Sequence, residues 1–587
     1  MDWIYPSQGW ILEDTNNSCI SSIRKYNHTF FRISLSPMDT NNLNPTPPPK
    51  ATLVFMALSI FVISFATYRD ILTYSFTATD TLTLIDVNRI QTPEKIVEIF
   101  NSPLLAGTSF EALRLFYRPV TSLTYGLDYL LWGLKPFGYH LTDLVLHMLV
   151  CILVFYTLLL LTNGRKAISW MSVIVFAIHP ILVENVPAIS RRQDTLVALF
   201  LLISLLLFLS AQKRQGGLFL ILSLVAYCLA LGSKETSILL PALLFVYLFL
   251  SAWGTNNEKK SIGFYVVQSV KRSLPYILVA LAYIIWRGYV LGGIGGYTSR
   301  DVDSETIWFS IETIRNFFSS LIFPVAVSTF PAKLLVGGWG LCSLFLLVKL
   351  YSLNRTTIPG EWRLNGKSMA GAFRRFCAVV LFGSEIFRVV IFLAIWLLLS
   401  LSILLATDTF QFWYLYVPAI PFSVLVAIAL IEPIQYIRNS WTGKFESPGL
   451  YLAIWSSFTA MCLVAYLFFF SPLFHKYDEW KDSGKLSDVI LTEVSRVSAE
   501  LPPGTTIHIY GLPDGIASYS SETHHVRSVG YLKDYSIKSW LDLTDPGGGF
   551  DVTASKYSVF ETYPEDLNFD VQLQQDGSVL IVLEPGD

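Results

Sequence analysis

Ionisable and polar side chains collect at the ends of long apolar stretches in the first 235 residues of the chain. The set contains three cations, four acids, one histidine and one tyrosine: Asp80, Tyr117, Arg118, His179, Glu184, Arg192, Asp194, Lys234 and Glu235. A charge at membrane depth costs about 2.5–3.5 kcal/mol on insertion scales, so a cluster of them on one side of a membrane indicates a function.

The chemistry that suits this set is the transfer of a neutral group from a phosphate carried on a lipid. Arginine and lysine hold phosphate oxygens, and an acid can take the proton from an attacking hydroxyl. We therefore predict Asp80 as the catalytic general base. The predicted ligands of the donor phosphate are Arg118, Arg192 and Lys234, and the other five residues are predicted to support them. The opposite interpretation is that these charges pair with one another and only join loops to helices.

A second polar group lies within an apolar stretch and consists of His140, Asp143 and His147. Its helical spacing would let its members share one helix face. A metal site would need a further acid at matching spacing, and the sequence offers none. These side chains are therefore predicted to be hydrogen-bonded interior residues. No metal site and no cofactor are predicted, and the need for a divalent metal is left open.

The composition indicates which class of protein carries these groups. Hydrophobic residues make up 53% of the 587 residues and charged residues only 15%, whereas soluble domains carry about 25% charged residues. Several apolar runs reach the 18 or more residues that a hydrocarbon layer of roughly 30 Å requires of a helix. The chain is therefore predicted to be an α-helical multispanning membrane protein. Soluble, disordered and collagen-like classes are excluded.

About eleven apolar runs have the length of membrane spans. They lie near residues 51–68, 139–162, 168–187, 194–211, 218–232, 236–252, 273–291, 331–351, 387–406, 414–432 and 449–470. An odd number of spans places the two termini on opposite sides. Lys and Arg concentrate in five alternate loops, which the positive-inside rule assigns to the cytoplasm. The N-terminus is therefore predicted to be cytoplasmic and the C-terminus extracytoplasmic.

Three regions follow from these patterns. Residues 1–50 are predicted to be a disordered cytoplasmic lead, and residues 51–470 a transmembrane domain whose first outer loop covers 69–138. Residues 471–587 hold 8 Lys and Arg against 19 Asp and Glu and are predicted to be an acidic extracytoplasmic domain. The basic residues form no single face, so nucleic acid is not a predicted partner.

Local patterns predict some elements outside the spans. The first outer loop is expected to contain a helix at Pro93–Asn101, and an amphipathic helix from Ile307 to Ile322 is expected along the outer surface. In the tail, a helical pattern from Asp478 to Glu500 precedes an alternating strand at Thr505–Tyr510. A turn signal follows at Gly511–Gly515. The tail is therefore predicted to be a small α/β domain.

Five short motifs follow one another between residues 70 and 245. They are Tyr117-Arg118-Pro119, the run from Tyr129 to His140, His179-Pro180 with Glu184, Arg192-Gln193-Asp194 and Lys234-Glu235-Thr236. A sixth, Leu415-Tyr416-Val417-Pro418, lies late in the membrane body. In this order they resemble the GT-C superfamily of membrane glycosyltransferases, especially the transmembrane O-mannosyltransferases that carry tetratricopeptide repeats. The sequence contains no such repeats.

The resemblance implies an inverting, mannosyltransferase-like enzyme that moves a sugar from a polyprenyl- or dolichyl-phosphate donor to an acceptor hydroxyl on the extracytoplasmic face. It implies a catalytic acid in the first outer loop, which falls on Asp80. The related enzymes have two adjacent acids there, whereas Thr79 precedes Asp80 in this chain. Their Glu-Arg pair is also missing around Phe412–Tyr414.

Two other functions stay open at this point. One is a non-catalytic GT-C-like membrane subunit of a larger assembly, and the other is a transporter or lipid-linked glycan ligase. The expected partners are a polyprenyl-phosphate sugar donor, membrane lipid, an acceptor of unknown identity and membrane proteins that bind residues 471–587. The expected location is the plasma membrane in a prokaryote or the endoplasmic reticulum in a eukaryote.

Overall fold

The computed structural model describes most of the chain after the predicted lead. The described residues are 50–77, 80–108, 115–214, 216–255, 261–293, 295, 304–322, 337, 338, 340, 385–406, 410–439, 448–473, 478–518, 527–529, 532–560 and 567–585. Residues 1–49 of the predicted lead, and almost all of the predicted span at 331–351, lie outside them.

The described part is mainly helical. In chain order the helices are α1 (Lys50–Tyr68), α2 (Thr81–Asn88), α3 (Pro93–Asn101), α4 (Pro119–Trp132), α5 (Pro136–Leu161), α6 (Lys166–Ala177), α7 (Arg192–Arg214), α8 (Gly217–Ser233), α9 (Leu240–Thr255), α10 (Ile262–Leu291), α11 (Ser304–Ile322), α12 (Glu385–Ala406), α13 (Tyr416–Asn439), α14 (Pro448–Phe470), α15 (Asp478–Ser498) and α16 (Asp534–Thr544). Short 3₁₀ segments precede or follow several of them: Arg69–Thr73, Pro180–Glu184, Ile189–Arg191, Glu235–Leu239 and Phe412–Leu415.

The membrane body has the predicted character. Within the described residues, seven helical stretches are long and apolar enough to cross a membrane, and three further apolar helices are shorter. The long ones coincide with seven of the predicted spans, and the short ones lie in α6, α8 and α14. The predicted class, an α-helical multispanning membrane protein with a small C-terminal α/β domain, is confirmed. The number of crossings stays a prediction.

The third predicted span is wrong in its second half. Helix α6 has 12 residues and ends at Ala177, so it is about 18 Å long at 1.5 Å per residue. Pro180 disfavours helical backbone at the residue before it, and the His179 side chain accepts a hydrogen bond from the amide of Ile181 at 3.2 Å. The chain then continues in two 3₁₀ segments, and the second ends at Arg191, directly before α7 begins.

The described residues of the C-terminal domain form five strands and two helices. The strands are β1 (Thr506–Ser518), β2 (Arg527–Val529), β3 (Asp551–Phe560), β4 (Leu567–Leu573) and β5 (Val579–Pro585). Strand β1 pairs in parallel with β3 and β5 and antiparallel with β2, and β4 pairs antiparallel with β5. Helices α3, α11 and α15 lie where the sequence predicted helices, and the predicted α/β character of the tail is confirmed.

The predicted turn at Gly511–Gly515 is wrong, because strand β1 continues through it. The register with β3 shifts between Pro513 and Gly515, which marks a β-bulge. Gly511 has φ +84°, and a Cβ there would lie 2.4 Å from the carbonyl oxygen of Leu583. Gly511 and Gly515 therefore accompany an irregularity within a strand and do not reverse the chain.

One apolar core joins the first outer loop to the C-terminal domain. The loop contributes Phe76, Leu82, Leu84 and Ile85, and the domain contributes residues that include Ile490, Val494, Ile509, Ile537 and Ile581. These side chains are nearly or completely buried. Two segments that loop charge assigned independently to the outer side thus pack together, which supports their location on the same side of the membrane.

Polar contacts reinforce the same interface between α2 and α16. The Ser539 hydroxyl lies 3.1 Å from the Thr83 hydroxyl, which in turn donates to the carbonyl of Tyr535 at 3.4 Å. The Arg89 guanidinium donates to the carbonyl of Asp542 at 3.0 Å. Helix α16 is therefore held on α2 by both apolar and polar contacts.

A buried acid in this interface makes its stability depend on pH. Desolvation raises the pKa of Asp86 from 3.8 to about 6, and nearby Arg89 opposes the shift. The folded protein binds the Asp86 proton more tightly than the unfolded chain, so this contribution to stability is complete below about pH 4 and is lost as pH rises through about 6.

We expect Asp86→Asn to raise the free energy of unfolding at pH 7 by about 1–2 kcal/mol. The reason is that the amide resembles the protonated acid and needs no charge in the interface. Thermal unfolding of the purified protein at pH 4.5 and pH 7 measures this, with wild type as the reference. A lower melting temperature for Asp86→Asn at pH 7 would mean that the Arg89 ion pair outweighs the desolvation.

Candidate active site

Asp80 directly precedes α2, at the opening of the first outer loop. An aspartate at this position commonly caps its helix, but the Asp80 side chain accepts no capping hydrogen bond. It accepts one instead from the Tyr535 hydroxyl, at 3.0 Å. Desolvation raises the pKa of Asp80, while the Tyr535 hydrogen bond and the charge of Arg191 lower it in part. Asp80 is exposed to solvent, so an acceptor could reach it.

Arg191 is the cation whose charge acts on Asp80. Its Nη1 lies 2.9 Å from Glu184 Oε2 and 2.6 Å from the Glu184 carbonyl oxygen. Its guanidinium stacks on two indole rings, at 3.9 Å from the centroid of Trp413 and 5.1 Å from that of Trp480. Trp480 belongs to α15, so the C-terminal domain also contacts this cation.

Lys234 lies between α8 and the 3₁₀ segment that leads into α9. Its Nζ is 2.5 Å from Asp194 Oδ1 and 4.5 Å from the centroid of the Tyr414 ring. The Lys234 and Asp194 side chains are each only 4% exposed. Within the described residues, the buried Asp194 Oδ2 has no hydrogen-bond partner, which leaves it able to accept a hydrogen bond from a bound ligand.

Arg118 and Glu235 form a second ion pair beside the first. Arg118 Nη2 lies 2.7 Å from Glu235 Oε1, and Arg118 Nε lies 3.1 Å from Glu235 Oε2, which is bidentate geometry. The guanidinium also lies 4.2 Å from the centroid of the Phe116 ring. Asp194 and Lys234 act electrostatically on this pair, so the two pairs form one group of four charges.

Trp413 and Tyr414 connect the two halves of the site. Arg191, the neighbour of Asp80, stacks on Trp413, and Lys234 lies over the ring of the next residue, Tyr414. Sequence reasoning noted this stretch only because it lacks the Glu-Arg pair of the related enzymes. The aromatic pair before the Leu415 motif was a signal that could have indicated its role, because cations stack preferentially on Trp and Tyr.

An apolar cavity reaches the Lys234–Asp194 pair. Its volume is about 30 Å³, and both residues of the pair line it. Most of the other lining residues are apolar and come from α7, α12 and α13: Val197, Leu201, Trp396, Ile403, Leu404 and Val417. They belong to the ends of spans that loop charge assigned to the outer side. Apolar side chains and a buried cation therefore meet in one place.

Arg192 does not join this group, contrary to the sequence prediction. Its side chain is completely buried, with Nη1 2.7 Å from Asp128 Oδ2 and Nε 2.5 Å from Asp143 Oδ1. Its Nη2 donates to the carbonyl of Tyr139 at 3.2 Å. With two carboxylates already against it and no exposed surface, Arg192 has no room for a phosphate. The neighbouring Arg191 is instead the cation whose charge acts on Asp80.

Two supporting residues have contacts that explain a structural role. The Tyr117 hydroxyl donates to the carbonyl of Phe100 at 2.8 Å and accepts from the Trp286 indole at 2.9 Å, which ties the first outer loop to α10. His179 Nε2 lies 2.9 Å from the carbonyl oxygen of Leu321 in α11. The structure thus brings Glu184, Asp194 and Glu235 to the site as partners of its cations, and Tyr117 and His179 as anchors of its elements.

The second polar group has the interior role that the sequence predicted. His140, Asp143 and His147 are buried, and each has a polar contact. His147 Nδ1 lies 2.8 Å from the Tyr416 hydroxyl, and His140 Nε2 lies 3.3 Å from the carbonyl oxygen of Ser75. In the part of the chain that the structure describes, no three His, Cys, Asp or Glu side chains converge as metal ligands would.

Comparison with known proteins agrees with the motif order. The chain is 32% identical to the human protein O-mannosyl-transferase TMTC1 over 155 residues, which cover 25% of this chain and 17% of the human protein. It is 35% identical to protein O-mannosyl-transferase Tmtc3 of Drosophila melanogaster over 119 residues, which cover 17% of this chain and 12% of the fly protein. The matches thus span less than a fifth of these relatives' own length. No protein-family model matches the chain.

Solved structures of membrane transferases are also similar at a low level. ArnT from Cupriavidus metallidurans, solved with undecaprenyl phosphate, is 14% identical, with a TM-score of 0.41 over 86% of this chain and 89% of ArnT. The relationship indicated by the motifs is confirmed by the sequence matches: over part of its length, this chain is similar to the transmembrane protein O-mannosyl-transferases.

Proposed function

We propose that this integral membrane protein is an inverting glycosyltransferase of the GT-C type. It would move a sugar from a polyprenyl- or dolichyl-phosphate donor to an acceptor hydroxyl on the extracytoplasmic face. The observation that carries the proposal is the cavity, because a mostly apolar space ends at a buried cation, Lys234. A lipid phosphate needs both features in one place. The proposal also rests on the partial similarity to O-mannosyl-transferases.

The reaction assigns a role to each part of the site. Asp80 removes the proton from the acceptor hydroxyl, and the hydroxyl oxygen forms a bond to the anomeric carbon of the sugar. The bond between that carbon and the phosphate oxygen breaks, and its electron pair stays on the lipid phosphate. Lys234 and Arg118 stabilise the charge that collects there. A single displacement of this kind inverts the anomeric centre.

Incubation of the purified full chain in lipid nanodiscs with a panel of lipid-phosphate sugars tests this proposal. We expect one donor to be consumed when a library of serine and threonine peptides is added as acceptor. Without an acceptor, we expect slow hydrolysis of the same donor by water. Nuclear magnetic resonance of the product should show the anomer opposite to that of the donor. If no lipid-phosphate sugar is bound or consumed, the protein is not such an enzyme.

One observation favours a second candidate, a non-catalytic membrane subunit with the same scaffold. Every cation described in the site has a carboxylate partner, which is the arrangement expected if the charges only join loops to helices. Isolation of the protein with stoichiometric partners, together with no affinity for any lipid-phosphate sugar, would select this function. Residues 471–587 would then be the surface for those partners.

The proposed orientation has the N-terminus in the cytoplasm and the C-terminal domain outside. Its support is the distribution of Lys and Arg among the loops and the shared core of the first outer loop and residues 471–587. In a prokaryote the protein would lie in the plasma membrane, and in a eukaryote in the endoplasmic reticulum.

Arg192→Ala tests whether Arg192 has a structural role or binds the donor phosphate. We expect it to lower the stability by about 3–5 kcal/mol, because Asp128 and Asp143 would remain buried without a counter-charge. The donor affinity of the protein that still folds should be unchanged. Thermal unfolding and donor binding of the monodisperse fraction measure the two effects. A weaker donor affinity with an unchanged melting temperature would restore Arg192 as a phosphate ligand.

A further inference from the structure

A side chain from the far end of the sequence reaches the predicted base. Tyr535 lies in the first turn of α16, and its hydroxyl donates to Asp80 Oδ1 at 3.0 Å. The two residues are 455 positions apart. The contact exists only because the C-terminal domain packs on the first outer loop.

The helix that carries Tyr535 is fixed independently of this hydrogen bond. Ser539 and Asp542 of α16 bind Thr83 of α2 and Arg89 directly after it, and Ile537 is completely buried in the shared core. The Tyr535 hydroxyl is therefore not needed to dock the domain. It is presented to Asp80 by a helix that is held at several other points.

The Asp80 carboxylate is also turned toward this hydroxyl. As the residue before α2 it could accept hydrogen bonds from its own helix, yet no capping bond is present. Among the contacts of Asp80 within the described residues, the side-chain hydrogen bond is the one to Tyr535, and the nearby charge is that of Arg191. Tyr535 therefore holds one of the two carboxylate oxygens.

We propose that Tyr535 is a positioning residue for Asp80 and that the C-terminal domain thereby completes the active site. This inference rests on the proposed function, since it assigns Asp80 the role of base. Tyr535 does not touch the reacting atoms. It orients the carboxylate and favours its ionised form by donating a hydrogen bond to it, as a third group does for many catalytic bases.

Tyr535→Phe in the full-length protein tests the proposal, with Tyr510→Phe on strand β1 of the same domain as the matched control. We expect kcat to fall about 10-fold, because the lost hydrogen bond is to a charged group. The KM for the lipid-phosphate donor should not change. The acid limb of the pH profile should move to higher pH, because the hydrogen bond favours ionised Asp80. The melting temperature of Tyr535→Phe should equal that of Tyr510→Phe. A lower melting temperature would instead indicate that the domain no longer docks.

A second measurement does not depend on turnover. A water-soluble carbodiimide with glycinamide labels protonated carboxyl groups, and mass spectrometry of the peptide that contains Asp80 gives the pH at which labelling is half complete. We expect this midpoint to move to higher pH in Tyr535→Phe. If wild type turns over no donor but the midpoint moves, the proposed function fails and the positioning contact stands.

Two results would overturn the positioning role. The first is an unchanged labelling midpoint in Tyr535→Phe. The second is a higher rate of transfer or donor hydrolysis in that variant, since this would mean that the Tyr535 hydroxyl obstructs the acceptor instead of preparing its base.

Discussion

Asp80→Asn is expected to lower the rate of sugar transfer by about 10²- to 10⁴-fold and to leave donor affinity nearly unchanged. Asparagine has almost the same size as aspartate but cannot take the proton from an acceptor hydroxyl. The proposed donor site is instead the group of charges around Lys234, whose contacts within the described residues are with Asp194 and Tyr414. Single-turnover assays with purified protein and equilibrium binding of the lipid-phosphate sugar measure the two quantities separately.

The rate of the wild-type enzyme should rise with pH as Asp80 loses its proton. Because desolvation raises the pKa of Asp80, this rise is expected at higher pH than for an ordinary aspartate. Asp86→Asn is the matched control, since it makes the same chemical change six residues later, within α2 and outside the site. Transfer at the wild-type rate by Asp80→Asn would show that Asp80 is not the base.

Lys234→Gln is expected to weaken donor binding by about 10- to 100-fold. The lysine would make a charge-assisted hydrogen bond to the donor phosphate, and such bonds contribute about 1.5–3 kcal/mol. It also neutralises Asp194, so the single variant leaves a buried carboxylate without its partner. A loss of binding in that variant alone could therefore come from a damaged fold.

The double variant Lys234→Gln with Asp194→Asn removes this ambiguity. Both side chains become neutral and can still form a hydrogen bond, so we expect the melting temperature to return toward that of wild type while donor binding stays weak. Lys213→Gln is the control for loss of a lysine, because Lys213 lies at the other end of α7 from Asp194. Donor affinity at the wild-type level in the double variant would exclude Lys234 as a phosphate ligand.

Much of the fold could be predicted because the membrane imposes a simple rule. Runs of 18 or more apolar residues have few alternatives to helix, and seven of them appear as long apolar helices. The end of α6 at Ala177 was missed although Pro180 indicated it, because the run of apolar residues continues beyond the break. Hydropathy averages over a window and does not register a local change of backbone.

The candidate site was predicted less well, because side-chain direction depends on tertiary contacts. Arg191 and Arg192 are adjacent and chemically identical, yet one stacks on Trp413 and the other is buried between Asp128 and Asp143. The change from a 3₁₀ turn to α7 falls between them and sends the two side chains to different places. No local pattern distinguishes them.

Tyr535 was missed for a different reason. Its contact with Asp80 crosses most of the chain, and it requires the sheet, α16 and the first outer loop to be assembled first. Similarly, the glycines at 511 and 515 looked like a turn because the pairing of β1 with β3, which continues through them with a bulge, involves residues far along the chain. Single-sequence reasoning carries no information on such pairings.

The core shared by the first outer loop and the C-terminal domain has a consequence for how the protein is made. A ribosome delivers residues 76–85 well before residues 478–585, so Phe76, Leu82 and Ile85 stay uncovered until that later part of the chain has been synthesised. During that interval Asp80 also lacks its contact with Tyr535. The contact between Asp80 and Tyr535 therefore forms only after residues 478–585 have been made, and a nascent chain released before residue 478 would leave that apolar surface open to chaperones and quality control.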